Sequence, residues 1–134
     1  MHRLFVAAVL AASIATPALA QSTLSLNDIS RLYCEALVAA DMSTVQPILT
    51  PDLTTTIEGR TGIVWQGYPG TVTACRMVGA SGSFDHPEAV LFYMLADGTS
   101  GSDRLVLSFI DEQIRINDVA FADGGSLRQS LAAQ

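Results

Sequence analysis

The residues of this chain best suited to chemistry are its two cysteines, Cys34 and Cys75. In an oxidising compartment two cysteines form one disulfide, whereas a nucleophilic thiol requires a base such as histidine beside it. One histidine, His86, stands outside the first twenty residues. The pattern therefore favours a Cys34–Cys75 disulfide over a catalytic thiolate, and such a crosslink stabilises a fold by about 4 kcal/mol.

Metal and cofactor chemistry has little support in the sequence. One histidine and two paired cysteines are too few for a transition-metal site. The chain also lacks a phosphate-binding loop, a dinucleotide fingerprint, a nucleophile elbow and an EF-hand loop. We expect no metal and no cofactor.

The first twenty residues have the pattern of a secretory signal peptide. Residues 1–3 carry positive charge, residues 4–14 are apolar, and Ala18 and Ala20 stand where a signal peptidase reads small residues. The pattern predicts cleavage between Ala20 and Gln21 and a periplasmic or secreted protein. A lipid anchor would require cysteine in place of Gln21, so we expect no membrane anchor after cleavage.

The mature chain, residues 21–134, is long enough for one domain with a modest core. It carries six arginines, no lysine and thirteen acidic residues, which gives a net charge of −7. A chain this acidic has no basic patch for nucleic acid or anionic lipid. We therefore expect neither as a partner.

Helical signals come first along the mature chain. Ser25 and Asp28 resemble a capping box, and apolar residues at helical spacing then predict a helix over residues 26–40. A second, short helix follows a cap at Asp41 or Ser43. The sequence Thr-Pro-Asp at 50–52 predicts a third.

Strand signals follow a glycine-bearing segment, residues 59–70. The predicted strands cover residues 71–78, 89–96, 104–110 and 114–121, separated by turns, and form an antiparallel meander. Residues 89–96 are apolar on both faces, which predicts a central strand covered on both sides. In the last strand the apolar parity slips by one residue around Asn117-Asp118. A β-bulge accounts for this slip better than an inward Asp118 carboxylate, because an unpaired buried carboxylate is costly.

Helices followed by an antiparallel sheet indicate an α+β domain with the helices packed on one face of a curved sheet and a short helical turn at the C-terminus. Residues 28–53, with Ala40-Asp41 ahead of Thr-Pro-Asp-Leu, resemble the opening helices of the nuclear transport factor two-like superfamily, the ketosteroid-isomerase-like or cystatin-like cone fold. Residues 103–131 are similar to the closing strands of uncharacterised bacterial envelope proteins with this fold. The matching positions are Arg115, Ile116, Asp118, Ser126, Leu127 and Arg128, with departures at Ile114 and Asn117.

The resemblance implies a single cone-fold domain over residues 21–134 and leaves two functional readings open. Enzymes of this superfamily use a carboxylate, a tyrosine and sometimes a histidine for acid/base chemistry, which makes Asp118, Tyr93 and His86 the candidates for an isomerase or dehydratase type of activity. Each also has a structural role available: a bulge, a core aromatic and a turn.

The preferred reading is a non-enzymatic binding or protein-interaction module. Trp65 and Tyr68 are the candidate contacts for a protein partner or a small apolar ligand, because such side chains carry much interface energy. The alternative is that they close the end of the cone. A strand with two apolar faces also predicts a homodimer across the sheet.

Overall fold

The computed structural model describes residues 23–134, so the predicted signal peptide and its cleavage site at Ala20 and Gln21 lie outside the described residues. Helices precede an open antiparallel sheet of four strands, as predicted. The elements are α1 (Leu26–Ala39), a 3-10 helix (Met42–Ile48), α2 (Pro51–Ile57), β1 (Val72–Gly82), β2 (Pro87–Leu95), β3 (Ser100–Ile110), β4 (Gln113–Ala120) and α3 (Leu127–Ala132).

The helix starts follow the predicted capping chemistry. The Ser25 hydroxyl accepts the Asp28 amide at 3.1 Å, and the Asp28 carboxylate accepts the Ser25 amide at 2.8 Å. These reciprocal bonds satisfy two amides that the first helical turn leaves unpaired. Of the two caps considered for the next helix, Asp41 is the one observed. Thr50 caps α2.

The sheet is a simple meander in the order β1-β2-β3-β4. Two strands are longer than predicted: β1 continues through the glycine-rich residues 79–82, and β3 begins at Ser100. The reason is cross-strand pairing, because Gly79 to Gly82 pair with Val90 to Pro87, and Ser100 to Asp103 pair with Met94 to Leu91. Ladder hydrogen bonds outweigh weak local strand propensity there.

The central strand β2 separates a buried face from an open one. Leu91, Tyr93 and Leu95 face the helices and are buried. Val90, Phe92 and Met94 face outward and are partly buried. The helices of the described chain cover the face of Leu91, Tyr93 and Leu95, so full cover of the outer face of β2 stays a prediction that requires a partner. Phe109 has the same parity along β3 as the buried Leu105 and Leu107, but it is exposed at the strand end.

The β-bulge predicted in the last strand is confirmed. Leu107 pairs with Ile116 and Val106 pairs with Asp118, so Asn117 is the extra residue. Asp118 consequently shares the outer face with Val106, and its carboxylate accepts the amides of Val119 at 2.8 Å and Arg128 at 3.0 Å. The bulge keeps Ile116 and Val119 on the buried face despite their different parity.

The predicted disulfide between Cys34 and Cys75 is present and joins the middle of α1 to β1, with the two Cα atoms 5.1 Å apart. Its Cys34 half is buried in the core between helix and sheet. Within residues 23–134, no helix has the length and apolar character needed to span a membrane.

Candidate functional site

Three polar side chains lie buried between the helices and the sheet. They are Tyr33 on α1, Tyr93 on β2 and Asp103 on β3, with 1%, 0% and 3% of their surfaces exposed. Each belongs to a different element. We call these three residues the loop anchor, because their hydrogen bonds run to the connection between α2 and β1.

The loop anchor holds the connection by three hydrogen bonds. The Tyr33 hydroxyl donates to the Trp65 carbonyl oxygen. The Gly67 amide donates to the Asp103 carboxylate at 2.8 Å, and the Tyr68 amide donates to the Tyr93 hydroxyl at 3.0 Å. A fourth bond, from the Ala122 amide to Asp103 at 3.2 Å, fixes the turn after β4 to the same carboxylate.

Burial dominates the electrostatics of the loop anchor. It raises the pKa of Asp103, against the opposing effect of hydrogen bonds from Gly67, Ala122 and Tyr93. It also raises the pKa of Tyr93 to about 12 and the pKa of Tyr33 well above its ordinary value. Both tyrosines are therefore protonated at neutral pH and can act as hydrogen-bond donors.

Two glycines, Gly67 and Gly101, allow the connection between α2 and β1 to lie close to the loop anchor. A Cβ on Gly101 would lie 2.5 Å from the Tyr93 ring and 2.6 Å from the Tyr68 ring. A Cβ on Gly67 would lie 2.8 Å from the Asp103 carboxylate. The space around the loop anchor is thus filled by its own protein neighbours.

The three candidate catalytic residues do not form a common site. His86 is exposed in the turn between β1 and β2. Tyr93 lies seven positions further along, roughly 23 Å away at the rise of an extended strand. Asp118 faces the opposite side of the sheet, where it pairs with Val106. No substrate of small size contacts all three in this arrangement.

The two candidate binding aromatics take different positions. Trp65 is half-buried against the core and lines an apolar depression of about 380 Å³ together with Leu37, Met42 and Ile63. Tyr68 lies outside this depression, with its ring over Gly101 and 44% of its surface exposed. The structure therefore places Trp65, and not Tyr68, at an apolar concavity.

A larger depression of about 520 Å³ lies between α1 and the outer edge of β1. The Cys34–Cys75 disulfide, Val38 and Met77 supply its apolar surface, and Arg31 and Arg76 are among its polar residues. We call it the edge groove. Neither depression includes a residue of the loop anchor.

Asp103 is the buried residue that sequence reasoning missed. Its signal is parity, because Asp103 stands at the alternation of Leu105 and Leu107 and hence on their buried face. The predicted strand began one residue later and excluded it. Tyr33 belongs to the apolar stripe of the predicted helix, and nothing in the local pattern indicates where its hydroxyl finds an acceptor.

Comparison of the chain with models of known families, with curated proteins and with solved structures found no match. The strings that resemble the superfamily have local structural roles here. Ser126 caps α3, Leu127 is buried, and Arg128 pairs with Asp52 at 3.0 Å and with the Asn117 side chain at 2.9 Å. Residues 23–134 contain no cluster of His, Cys, Asp or Glu suited to a metal ion.

Proposed function

We propose that this chain is an exported, non-enzymatic binding module built on the cone fold of the nuclear transport factor two-like superfamily. The observation that carries the proposal is the closed loop anchor, whose polar side chains are all committed to backbone groups. Among the described residues, every buried side-chain nitrogen and oxygen has a hydrogen-bond partner. Acid/base catalysis needs a titratable group that a substrate can reach, and the buried groups here face protein.

The ligand site of this proposal is the depression at Trp65, and the ligand is a small apolar molecule. The walls are contributed by α1, by the start of the 3-10 helix and by the segment that the loop anchor fixes. Apolar concave sites with a few convergent polar groups are the usual form of ligand pockets. Gln66, whose side chain donates to the Tyr68 and Gly70 carbonyl oxygens, stiffens one wall.

Export and partners belong to the same proposal. The disulfide suits an oxidising compartment, in agreement with the signal-peptide pattern of residues 1–20. The partly buried outer face of β2, with Phe92 at its centre, is the surface for a protein partner. Bulges in β1 and β4 support the curvature that a cone requires.

Ligand binding can be tested on protein purified gently from its own periplasm. Native mass spectrometry should show a retained small-molecule adduct. Trp65 is the single tryptophan of the chain, so energy transfer from it to the apolar probe N-phenyl-1-naphthylamine reports occupancy at the proposed site. We expect the natural adduct, once purified, to displace this probe.

A pair of variants locates the site. Met42→Gln places a polar group in the depression and should weaken probe binding about tenfold, since one buried apolar side chain contributes about 1.5–3 kcal/mol. Tyr68→Ala changes an aromatic outside the depression and should leave affinity within about threefold. Equal loss in both variants, or no probe binding by the wild type, would refute the Trp65 site. Turnover of a small molecule that Tyr93→Phe abolishes would instead support the enzyme alternative.

A further inference from the structure

The outer edge of β1 is open, whereas the other edge of the sheet is covered. At β4, Leu49 bridges to Ile116 and the Thr50 amide donates to the Ile116 carbonyl oxygen at 2.8 Å. Within residues 23–134, no strand or bridge pairs with the far side of β1. The strand contains neither proline nor lysine, and Arg76 is its single charge. Apart from this charge and the bulges at residues 73 and 78, the edge has none of the usual protection against pairing with another strand.

Helix α1 runs beside this edge and antiparallel to β1, and residues along the helix stay level with residues along the strand. The Ser30 hydroxyl contacts the Met77 sulfur at 3.2 Å, and four residues later Cys34 is bonded to Cys75. Four helical residues rise about 6 Å and two strand residues about 6.6 Å, so the two elements advance together. A symmetry axis at Cys75 therefore also passes near Cys34.

We propose that a second copy of this chain docks on the edge groove, with the two β1 strands antiparallel about a two-fold axis at Cys75. Opposed residues must share a sheet face, so the axis falls on a residue and not between two residues. Bulges at residues 73 and 78 confine regular pairing to residues 74–77. An axis at Arg76 would oppose two like charges, whereas an axis at Cys75 opposes Ala74 to Arg76 of the second copy.

The charges on α1 are self-complementary about the same axis. Arg31 lies about 4.5 Å before Cys34 along the helix and Glu35 about 1.5 Å after it. Within one copy Arg31 pairs with Glu35 at 3.3 Å. The two-fold axis brings Glu35 of the second copy within about 3 Å of Arg31 in height, so the two pairs form a four-charge cluster by symmetry. Val38, 45% exposed in the monomer, then packs beside the aliphatic stem of the other Arg31.

The overall charge of the mature chain does not oppose this contact. Glu35 is the one acidic residue that lines the edge groove, and β1 contains none. Asp28, one turn before Arg31 on α1, is paired with Arg31 at 3.6 Å. The inference is independent of the proposed ligand site, because the edge groove and the Trp65 depression share no lining residue.

Sedimentation velocity of the oxidised protein over a range of concentrations tests the proposal. We expect a monomer–dimer equilibrium in the wild type. Arg31→Glu and Glu35→Arg each place like charges at two symmetric contacts and should weaken dimerisation about tenfold, while the double exchange should restore it. Val38→Arg should also weaken it, and Val64→Arg, a matched control with 44% exposure in the loop, should not.

Several outcomes would overturn the proposal. One is a monomer at every concentration reached. Another is a dimer that the charge exchanges leave unchanged. A dimer that Phe92→Arg dissociates and Val38→Arg does not would place the second copy on the outer face of the sheet. Thermal unfolding of each variant confirms that the monomer itself remains folded.

Discussion

At the scale of single residues, Asp103 is a buried carboxylate that joins two separate connections. Its carboxylate accepts amides from two separate connections, at Gly67 and at Ala122. Asparagine has nearly the same shape but offers one acceptor and one donor to these two amides. Removal of a partner from a buried amide costs about 1–3 kcal/mol. Asp103→Asn should therefore lower the free energy of unfolding by about that amount.

The titration of Asp103 also makes the stability difference between the wild type and Asp103→Asn depend on pH. Because burial raises its pKa in the folded state, its contribution to stability is fully present below the unfolded pKa, near 3.8, and is lost as pH rises through the folded pKa. The stability advantage of the wild type over Asp103→Asn should thus shrink as pH increases from 3.8.

Denaturant unfolding of both proteins across this pH range measures the difference directly. Asp28 and Asp97, whose pKa values are lowered by hydrogen bonds from Ser25 and Thr99, have the opposite pH dependence. Both are present in the two proteins, so their effects cancel in the difference. An advantage that is constant or grows with pH would contradict the assignment.

Gly101 is a second residue whose role is steric. A methyl group there would meet the buried Tyr93 ring at 2.5 Å, so Gly101→Ala should destabilise the fold by about 1–3 kcal/mol. Gly79→Ala is the matched control, because a Cβ at this strand glycine meets nothing within 4 Å. Urea unfolding compares the two. Equal midpoints would show that the connection over Gly101 moves aside without cost.

At the scale of elements, the sequence predicts a helix start or a bulge correctly where the residues that determine it are neighbours in the chain. The caps at Ser25, Asp41 and Thr50 depend on neighbours within three residues, and all three helices begin where these caps predict. The sequence also predicts the β4 bulge, since a parity slip is visible within a single strand. The sequence did not predict the end of β1, residues 79–82, or the start of β3, residues 100–103. Glycine and serine join a strand ladder only when a partner strand is present.

The disulfide is the covalent tie between two of these elements. Replacing both Cys34 and Cys75 by alanine should lower the free energy of unfolding by about 2–5 kcal/mol, as is usual for a native disulfide in a small domain. Thermal unfolding measures the loss, and reduction of the wild type with dithiothreitol should reproduce most of it. A variant as stable as the oxidised wild type would show that packing of α1 on β1 suffices by itself.

At the scale of the whole molecule, residues 23–134 form a sheet with one face covered by helices, one covered edge at β4 and one open edge at β1. The outer face and the β1 edge are the surfaces left for partners. Sedimentation velocity of the Phe92→Arg and Val38→Arg variants decides which of these two surfaces binds a second copy. The Trp65 depression lies apart from both, so ligand binding and assembly can be varied independently.

The sequence by itself determined the order of helices and strands, the disulfide, the bulge at Asn117 and the acidic surface. These properties follow from composition and from patterns within single elements. Only the tertiary structure decided that His86, Tyr93 and Asp118 lie apart and that Trp65 lines a depression while Tyr68 does not. It also decided that Asp103, Tyr33 and Tyr93 hold the connection before β1. The physical reason is that buried polar groups find their partners across elements, at sequence separations of 25 to 36 residues for the bonds from Gly67, Tyr68 and Tyr33.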